Sequence, residues 1–204
     1  SHTHEYISTG RLDSKFGIPL DRRVRGAYVG AALGMEGVEL LGFHFHVGSQ
    51  LLSNESHLKA IGVVCALMAE LKADYGFETA ELNLGGGFGV HYHGDEKARP
   101  LSYFVDPMMA ELSAACAAAN LRLPRVVIEP GRWVVGEAGL TLYTVGSKKV
   151  IPEVKTYVGV DGGLPDNPRP ALYGAVYEAS VADRHDAPRD EVVTVAGKCC
   201  ESGD

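Results

Sequence analysis

The sequence predicts an α/β fold of parallel strands and crossover helices, followed by part of a mostly antiparallel β-domain. Three observations predict it. Helix-type and strand-type segments alternate through the first two thirds at a period of about 40 residues, the pattern of parallel strands joined by helices. Each strand-type run there ends in a polar or glycine-rich cluster, which is where parallel α/β barrels bind ligands. After about residue 138, short β-type runs succeed one another with no helix signal between them.

Residues 19–33 suit a helix opened by Pro19 and closed near Gly34. Residues 39–47 (ELLGFHFHV) read as a strand. Asn54 is placed to cap a helix carrying Leu58, Ile61, Val64, Met68 and Leu71 at helical spacing and ending at Gly76. Residues 80–84 are the next strand, 107–119 an alanine-rich helix, and 125–129 (RVVIE) a third buried strand. LTLYTVGSKKV, TYVGVDGG and EVVTVAG are the β-type runs of the later part. The expected division is residues 1–138, part of a parallel (β/α)8 barrel of the TIM type, and 139–204, the start of the β-domain.

Composition excludes several function classes. A content of 46% hydrophobic and 22% charged residues is that of an ordinary globular protein. The net charge of −7 makes nucleic acid and anionic membranes poor partners. Any phosphate must then be held by a local cradle. No apolar run reaches the roughly 20 residues of a membrane helix, and no signal peptide is visible. Cys65, Cys116, Cys199 and Cys200 show neither metal spacing nor a disulfide framework, which points to a reducing cytoplasm. Ser1 and Asp204 do not read as natural termini, so the chain is expected to be an excerpt of a longer protein.

The strand-end clusters carry the chemistry. In LNLGGGFGVHY (82–92), Gly85, Gly86 and Gly87 each cost backbone entropy but leave N–H groups that a phosphate can approach. In HFHVGSQ (44–50), His44 and His46 are two apart and face one way. They read either as a metal pair or as an interior histidine and a flat ring against a planar ligand. Ser49 is a phosphate ligand or a turn serine. In EPGRW (129–133), Glu129 closes an apolar run and needs a partner, either a protonated ring nitrogen or Arg132. Arg132 offers a planar fork for phosphate or carboxylate, and Pro130 and Gly131 allow a sharp turn and close approach. Arg169 and Tyr173 stand four apart in DNPRPALY, read as a loop of the β-domain. CESGD (200–204) sets the Cys200 thiol, a candidate proton donor, beside two carboxylates.

Taken together, these stretches resemble the pyridoxal-phosphate decarboxylases built on an alanine-racemase-like barrel, with the diaminopimelate decarboxylases as the closest likeness. The resemblance rests on THEYISTGRLDSKFGI (3–18), GFHFHVGSQ, LNLGGGFGVHY, EPGRWVVGEAG, RPALY and CESGD, found in the family's order over nearly the whole chain. It implies pyridoxal 5'-phosphate as cofactor. His46 would stack on its ring, and Glu129 would keep the pyridine nitrogen protonated. Ser49, Gly85, Gly86, Gly87, Pro130, Gly131 and Arg132 would lie around the cofactor. Arg132, Arg169 and Tyr173 would meet substrate carboxylate. The family forms homodimers with shared sites, which implies that Cys200 donates a proton, and Glu201 reads the distal end of the substrate, in the partner's site.

The implied reaction is decarboxylation of meso-2,6-diaminopimelate to L-lysine. The alternative within the family is a decarboxylase of ornithine, lysine or arginine. RPALY and CESGD favour the dicarboxylate, which needs several fixed polar contacts. The family's Schiff-base lysine matches none of the lysines here, and the early barrel strands are absent, so the excerpt by itself is expected to be inactive. A metal-dependent barrel hydrolase using His44 and His46 lacks further histidines at strand ends. A non-catalytic carrier of the same cofactor would lack the β-type runs after residue 138.

Overall fold

A three-stranded parallel sheet organises the first part of the chain in the computed structural model, which describes residues 15–94 and 98–204. Its strands are β1 (Gly42–His44), β2 (Glu81–Gly86) and β3 (Arg125–Glu129), in spatial order β1-β2-β3. Helix α1 (Arg22–Gly34) precedes β1, and α2 (Glu55–Tyr75) and α3 (Leu101–Ala118) are the crossovers. The α/β class with parallel strands is therefore as the alternation predicts. All three strands run the same way, so their carboxyl ends share one edge.

Strand alternation divides the sheet into two chemistries. Phe43, Phe45, Leu82, Leu84, Val126 and Ile128 face the helices. There they meet Ile61, Val64, Cys65 and Met68 of α2 and Phe104, Met108, Leu112 and Cys116 of α3. Each fully buried large side chain of this set contributes about 1.5–3 kcal/mol. Burial pushes the Cys65 thiol up to about 12, so it is an inert part of this core. The residues between the apolar ones, His44, Asn83 and Glu129, lie on the opposite face, which is thereby polar near the carboxyl ends.

Several boundaries differ from those the sequence predicts. Helix α1 starts at Arg22, because the Asp21 carboxylate caps it by accepting from the N–H groups of Arg23 (3.0 Å) and Val24 (3.2 Å). Asn54 precedes α2, but its side chain does not cap; its Nδ2 donates to the Phe104 carbonyl at 3.0 Å, tying α2 to α3. Gly76 ends α2 in the left-handed conformation, as expected. Helix α3 begins at Leu101, so Pro107 lies inside it. The buried row Phe104, Met108, Leu112 continues the helix upstream of the proline and outweighs the lost hydrogen bond. Strand β1 stops at His44, because the chain then leaves the ladder to form the loop that meets β2.

The chain divides into two compact units, one closing at Glu137 and the other running from Ala138 to Asp204 and taking in Tyr92. The first ends with the short helix α4 (Gly131–Val135). In the second, β4 (Val145–Ile151) and β5 (Lys155–Val160) form an antiparallel hairpin. Strand β6 (Thr194–Ala196) adds to β5 in parallel, so the sheet is mixed where a mostly antiparallel one is expected. The physical reason is the long connection of residues 161–193, which returns the chain to the starting end of β5. RPALY, expected as loop, is the one-turn helix α5 (Arg169–Tyr173), started by Pro168 and closed by left-handed Gly174. Among the described residues no helix is long and apolar enough to cross a membrane.

Candidate active site

The carboxyl edge of the parallel sheet gathers most of the residues singled out in the sequence. Glu129 sits at the end of β3 and is half exposed. Its Oε1 accepts from Asn83 Nδ2 at 2.9 Å, and its Oε2 lies 3.5 Å from His44 Nε2. The same Asn83 side chain accepts from the Gly85 N–H through Oδ1 at 2.9 Å. One amide thus fixes both the carboxylate and the start of the glycine run. The carboxylate only accepts, so the Nδ2 end must face it.

Next to Glu129 lies Gly86, its register partner across the β2–β3 ladder. A Cβ at Gly86 would collide with the Glu129 carbonyl, one at Gly85 with the Phe45 carbonyl, and one at Gly87 with the Gly48 carbonyl. Gly85 and Gly87 also have φ of 68° and 88°. The glycines therefore let three strand ends close on one another. The Gly86 N–H points to His46 Nδ1 at 3.4 Å, so the imidazole of His46 stands over the same turn. This corrects the reading of three bare amides: Gly85 spends its N–H on Asn83, Gly86 on His46, and Gly87 on the Glu129 carbonyl, because the Gly86–Glu129 pair of the parallel ladder is followed by Pro130, which has no N–H to give. Ser49 follows Gly48 and lies beside Gly87. The loop is laced to the glycine turn by Leu51 N–H to Gly87 O (2.8 Å) and Gly89 N–H to Leu51 O (2.9 Å).

Pro130 caps α4, Gly131 begins it, and Arg132 is its half-buried second residue. A Cβ on Gly131 would meet open space, so nothing in the fold itself demands glycine there. Imidazole, carboxylate, guanidinium and hydroxyl groups make up a set that suits a planar ring bearing a phosphate. Among the described residues no group of three or more His, Cys, Asp or Glu side chains is arranged to hold a metal ion, so the hydrolase alternative gains no ligand set.

The other predicted residues lie in the second unit. Arg169 and Tyr173 share α5, and Arg169 Nη1 donates to the Tyr92 hydroxyl at 2.8 Å. Cys200 and Glu201 are exposed on the CESGD turn. Glu201 Oε1 accepts from the Ser202 N–H at 3.0 Å. The turn is pinned by Asp204, whose carboxylate accepts from the N–H groups of Leu164 and Cys199. Gly163 and Gly197 leave the space for that carboxylate.

Sequence reasoning missed Asn83 and His57, and the pinning role of Asp204, which it counted only as a carboxylate of the CESGD turn. Asn83 was signalled by a polar residue between two buried leucines. His57 was signalled by its place in the apolar stripe of α2. Asp204 had no signal beyond its position after Gly203.

Residues 1–136 match the family described as pyridoxal-dependent decarboxylase, pyridoxal binding domain. The chain is 45% identical, over its whole length, to a diaminopimelate decarboxylase of Halalkalibacterium halodurans, of which it covers 46%. Among solved structures it resembles diaminopimelate decarboxylase from M. jannaschii in complex with L-lysine, with a TM-score of 0.83 at 32% identity, over 99% of this chain and 45% of that one. The Helicobacter pylori diaminopimelate decarboxylase complexed with L-lysine gives a TM-score of 0.82 at 31% identity, over 100% of this chain and 47% of that one. The chain thus spans about half the length of the relatives it matches. It belongs to the pyridoxal-dependent decarboxylase family.

Proposed function

We propose that the protein carrying this chain decarboxylates meso-2,6-diaminopimelate to L-lysine and CO2. The strand-end cluster of Glu129, Asn83, His46 and Gly85–Gly87 is the observation that carries this reading, supported by relatives that share the chemistry by name. Bound pyridoxal phosphate supplies an electron sink for the charge left when CO2 departs. The protein's part is placement and electrostatics.

Glu129, its carboxylate held by Asn83, keeps a proton on the pyridine nitrogen. His46 offers its ring face to the cofactor. Ser49, the turn of Gly85, Gly86 and Gly87, and Arg132 surround the phosphate, with Pro130 and Gly131 giving access. Arg169 and Tyr173 bind substrate carboxylate. Cys200 donates a proton, and Glu201 reads the distal amino-acid centre of the substrate. These last two roles belong to a homodimer with shared sites, in which the CESGD turn serves the partner's site. We assign residues 1–138 to a (β/α)8-type barrel and 139–204 to the start of a β-domain, in a cytoplasmic enzyme.

The test is CO2 release by the full-length enzyme from meso-diaminopimelate, ornithine, lysine and arginine. Clear preference for diaminopimelate is the expected result. Preference for any of the other three replaces the substrate assignment while leaving the cofactor site standing.

A further inference from the structure

We infer that Tyr92 is a positioning residue for substrate binding, holding the Arg169 guanidinium ready for the carboxylate that remains in the product. The inference rests on the reading that Arg169 meets substrate carboxylate. Arg169 opens the one-turn helix α5, and its side chain is half-buried. Its Nη1 donates to the Tyr92 hydroxyl at 2.8 Å, joining residues 77 apart in the chain. A guanidinium only donates, so the hydroxyl oxygen is the acceptor. The guanidinium carbon also stands over the Tyr92 ring, 5.1 Å from its centroid. Tyr92 is itself held in place. Its ring meets Tyr177 edge-on, with centroids 5.4 Å apart and planes at 79°. Two residues further on, the Gly94 N–H donates to Glu178 Oε1 at 3.3 Å. Tyr92 thus ties the start of α5 to the segment that follows it.

The arrangement suits a carboxylate. Arginine has many rotatable bonds, and a ligand that meets a mobile guanidinium must order it on binding. Helix α5 has five residues and none of them is buried, so it gives the side chain little orientation of its own. The hydroxyl and the ring face of Tyr92 impose that order beforehand. The hydroxyl is neutral, so it fixes the guanidinium without cancelling its charge. A guanidinium has five N–H donors in a rigid fork. Tyr92 takes one from Nη1, and a carboxylate takes two in parallel, so one arginine can serve both. Phenylalanine would pack against Tyr177 in the same way; the hydroxyl is the part that reaches Arg169. Of the two carboxylates of diaminopimelate, one leaves as CO2 and the other stays in L-lysine. A contact to the one that stays is alike before and after the chemical step. Its loss therefore raises KM and leaves kcat.

The test uses the full-length enzyme loaded with pyridoxal phosphate and two ligands: L-lysine, and cadaverine, which is L-lysine without its carboxylate. Tyr92→Phe is expected to weaken L-lysine by about three- to tenfold, the worth of one hydrogen bond to a charged group. Cadaverine should change by less than about twofold on the same argument. KM for diaminopimelate should rise with the L-lysine constant, while kcat and the affinity of the apoenzyme for pyridoxal phosphate stay within about twofold. In an Arg169→Met background Y92F should weaken L-lysine no further, because Tyr92 acts through Arg169. Equal losses for both ligands, no loss for L-lysine, or full additivity with R169M overturns the inference. An R169M enzyme that binds L-lysine unchanged overturns the reading of Arg169 beneath it. A crystal structure of the unmutated enzyme with L-lysine covers the case in which the variants do not fold. It should show Arg169 on the lysine carboxylate and still donating to Tyr92. Arg169 on the carboxylate but parted from Tyr92 overturns the inference alone, and Arg169 away from the carboxylate overturns the reading.

Discussion

Glu129 stands half exposed at a strand end, yet each of its carboxylate oxygens has a partner. Asn83 is the more informative of the two partners, because it also fixes the Gly85 amide. Asn83→Ala should therefore lower pyridoxal phosphate affinity and turnover of the full-length enzyme by roughly 10–100-fold, the equivalent of about 1.5–3 kcal/mol for a hydrogen bond to a charged group. A thermal scan should show little loss of stability, since Asn83 adds nothing to the apolar core. Activity within twofold of the unmutated enzyme would contradict this role. His57 adds a pH dependence. Its pKa in the folded state lies below its ordinary value of 6.5, chiefly through burial. Below 6.5 the unfolded chain binds more protons than the folded one, so stability falls as the pH drops from 6.5 toward the folded-state pKa. The slope is at most about 1.4 kcal/mol per pH unit, and stability is fully retained above the window. His57→Phe should flatten that part of the stability curve in denaturant titrations across the window.

At the scale of elements, α3 and the glycine turn were legible to different degrees. The stripe of α2, the run RVVIE and the left-handed stop at Gly76 are local signals, and the structure follows them, except that RVVIE, expected as a buried strand, is an edge strand among the described residues, with no fully buried residue. The start of α3 was hidden because Pro107 suggests a first turn, whereas the buried row from Phe104 to Leu112 decides the matter through packing with α2 and β2. Phe104→Ala should cost about 3–5 kcal/mol in equilibrium unfolding, because it empties a fully buried site beside His57 and Phe88. A loss under 1 kcal/mol would mean that this region is less closely packed than described. The strand-end cluster was legible as residue types, since His46, the glycines and Glu129 all stand at ends of apolar runs. Their hydrogen bonds were not. That the Gly85 and Gly86 amides turn inward depends on Asn83 and on the β1 loop, which approach only across the sheet. The parallel entry of β6 was hidden for a like reason, because pairing direction over a long connection leaves no local mark.

At the scale of the whole molecule, the chain leaves much apolar surface in water. Leu140 is 94% exposed and Leu142 76%, and Val134 and Val135 each 63%. Strands β1 and β3 are edges of a three-stranded sheet among the described residues. Exposed edges and apolar patches favour association. The 204-residue chain expressed alone is therefore expected to aggregate and to release no CO2 from diaminopimelate, in contrast to the full-length enzyme. A monomer melting cooperatively in a thermal scan would count against this.

The most direct measurement is a crystal structure of the full-length enzyme with pyridoxal phosphate. The account predicts the phosphate beside Ser49 and the Gly85–Gly87 turn, the ring against His46, and the pyridine nitrogen within hydrogen-bond reach of Glu129. A cofactor bound away from the carboxyl edge of the β1-β2-β3 sheet, or one whose ring nitrogen faces a group other than Glu129, would contradict it.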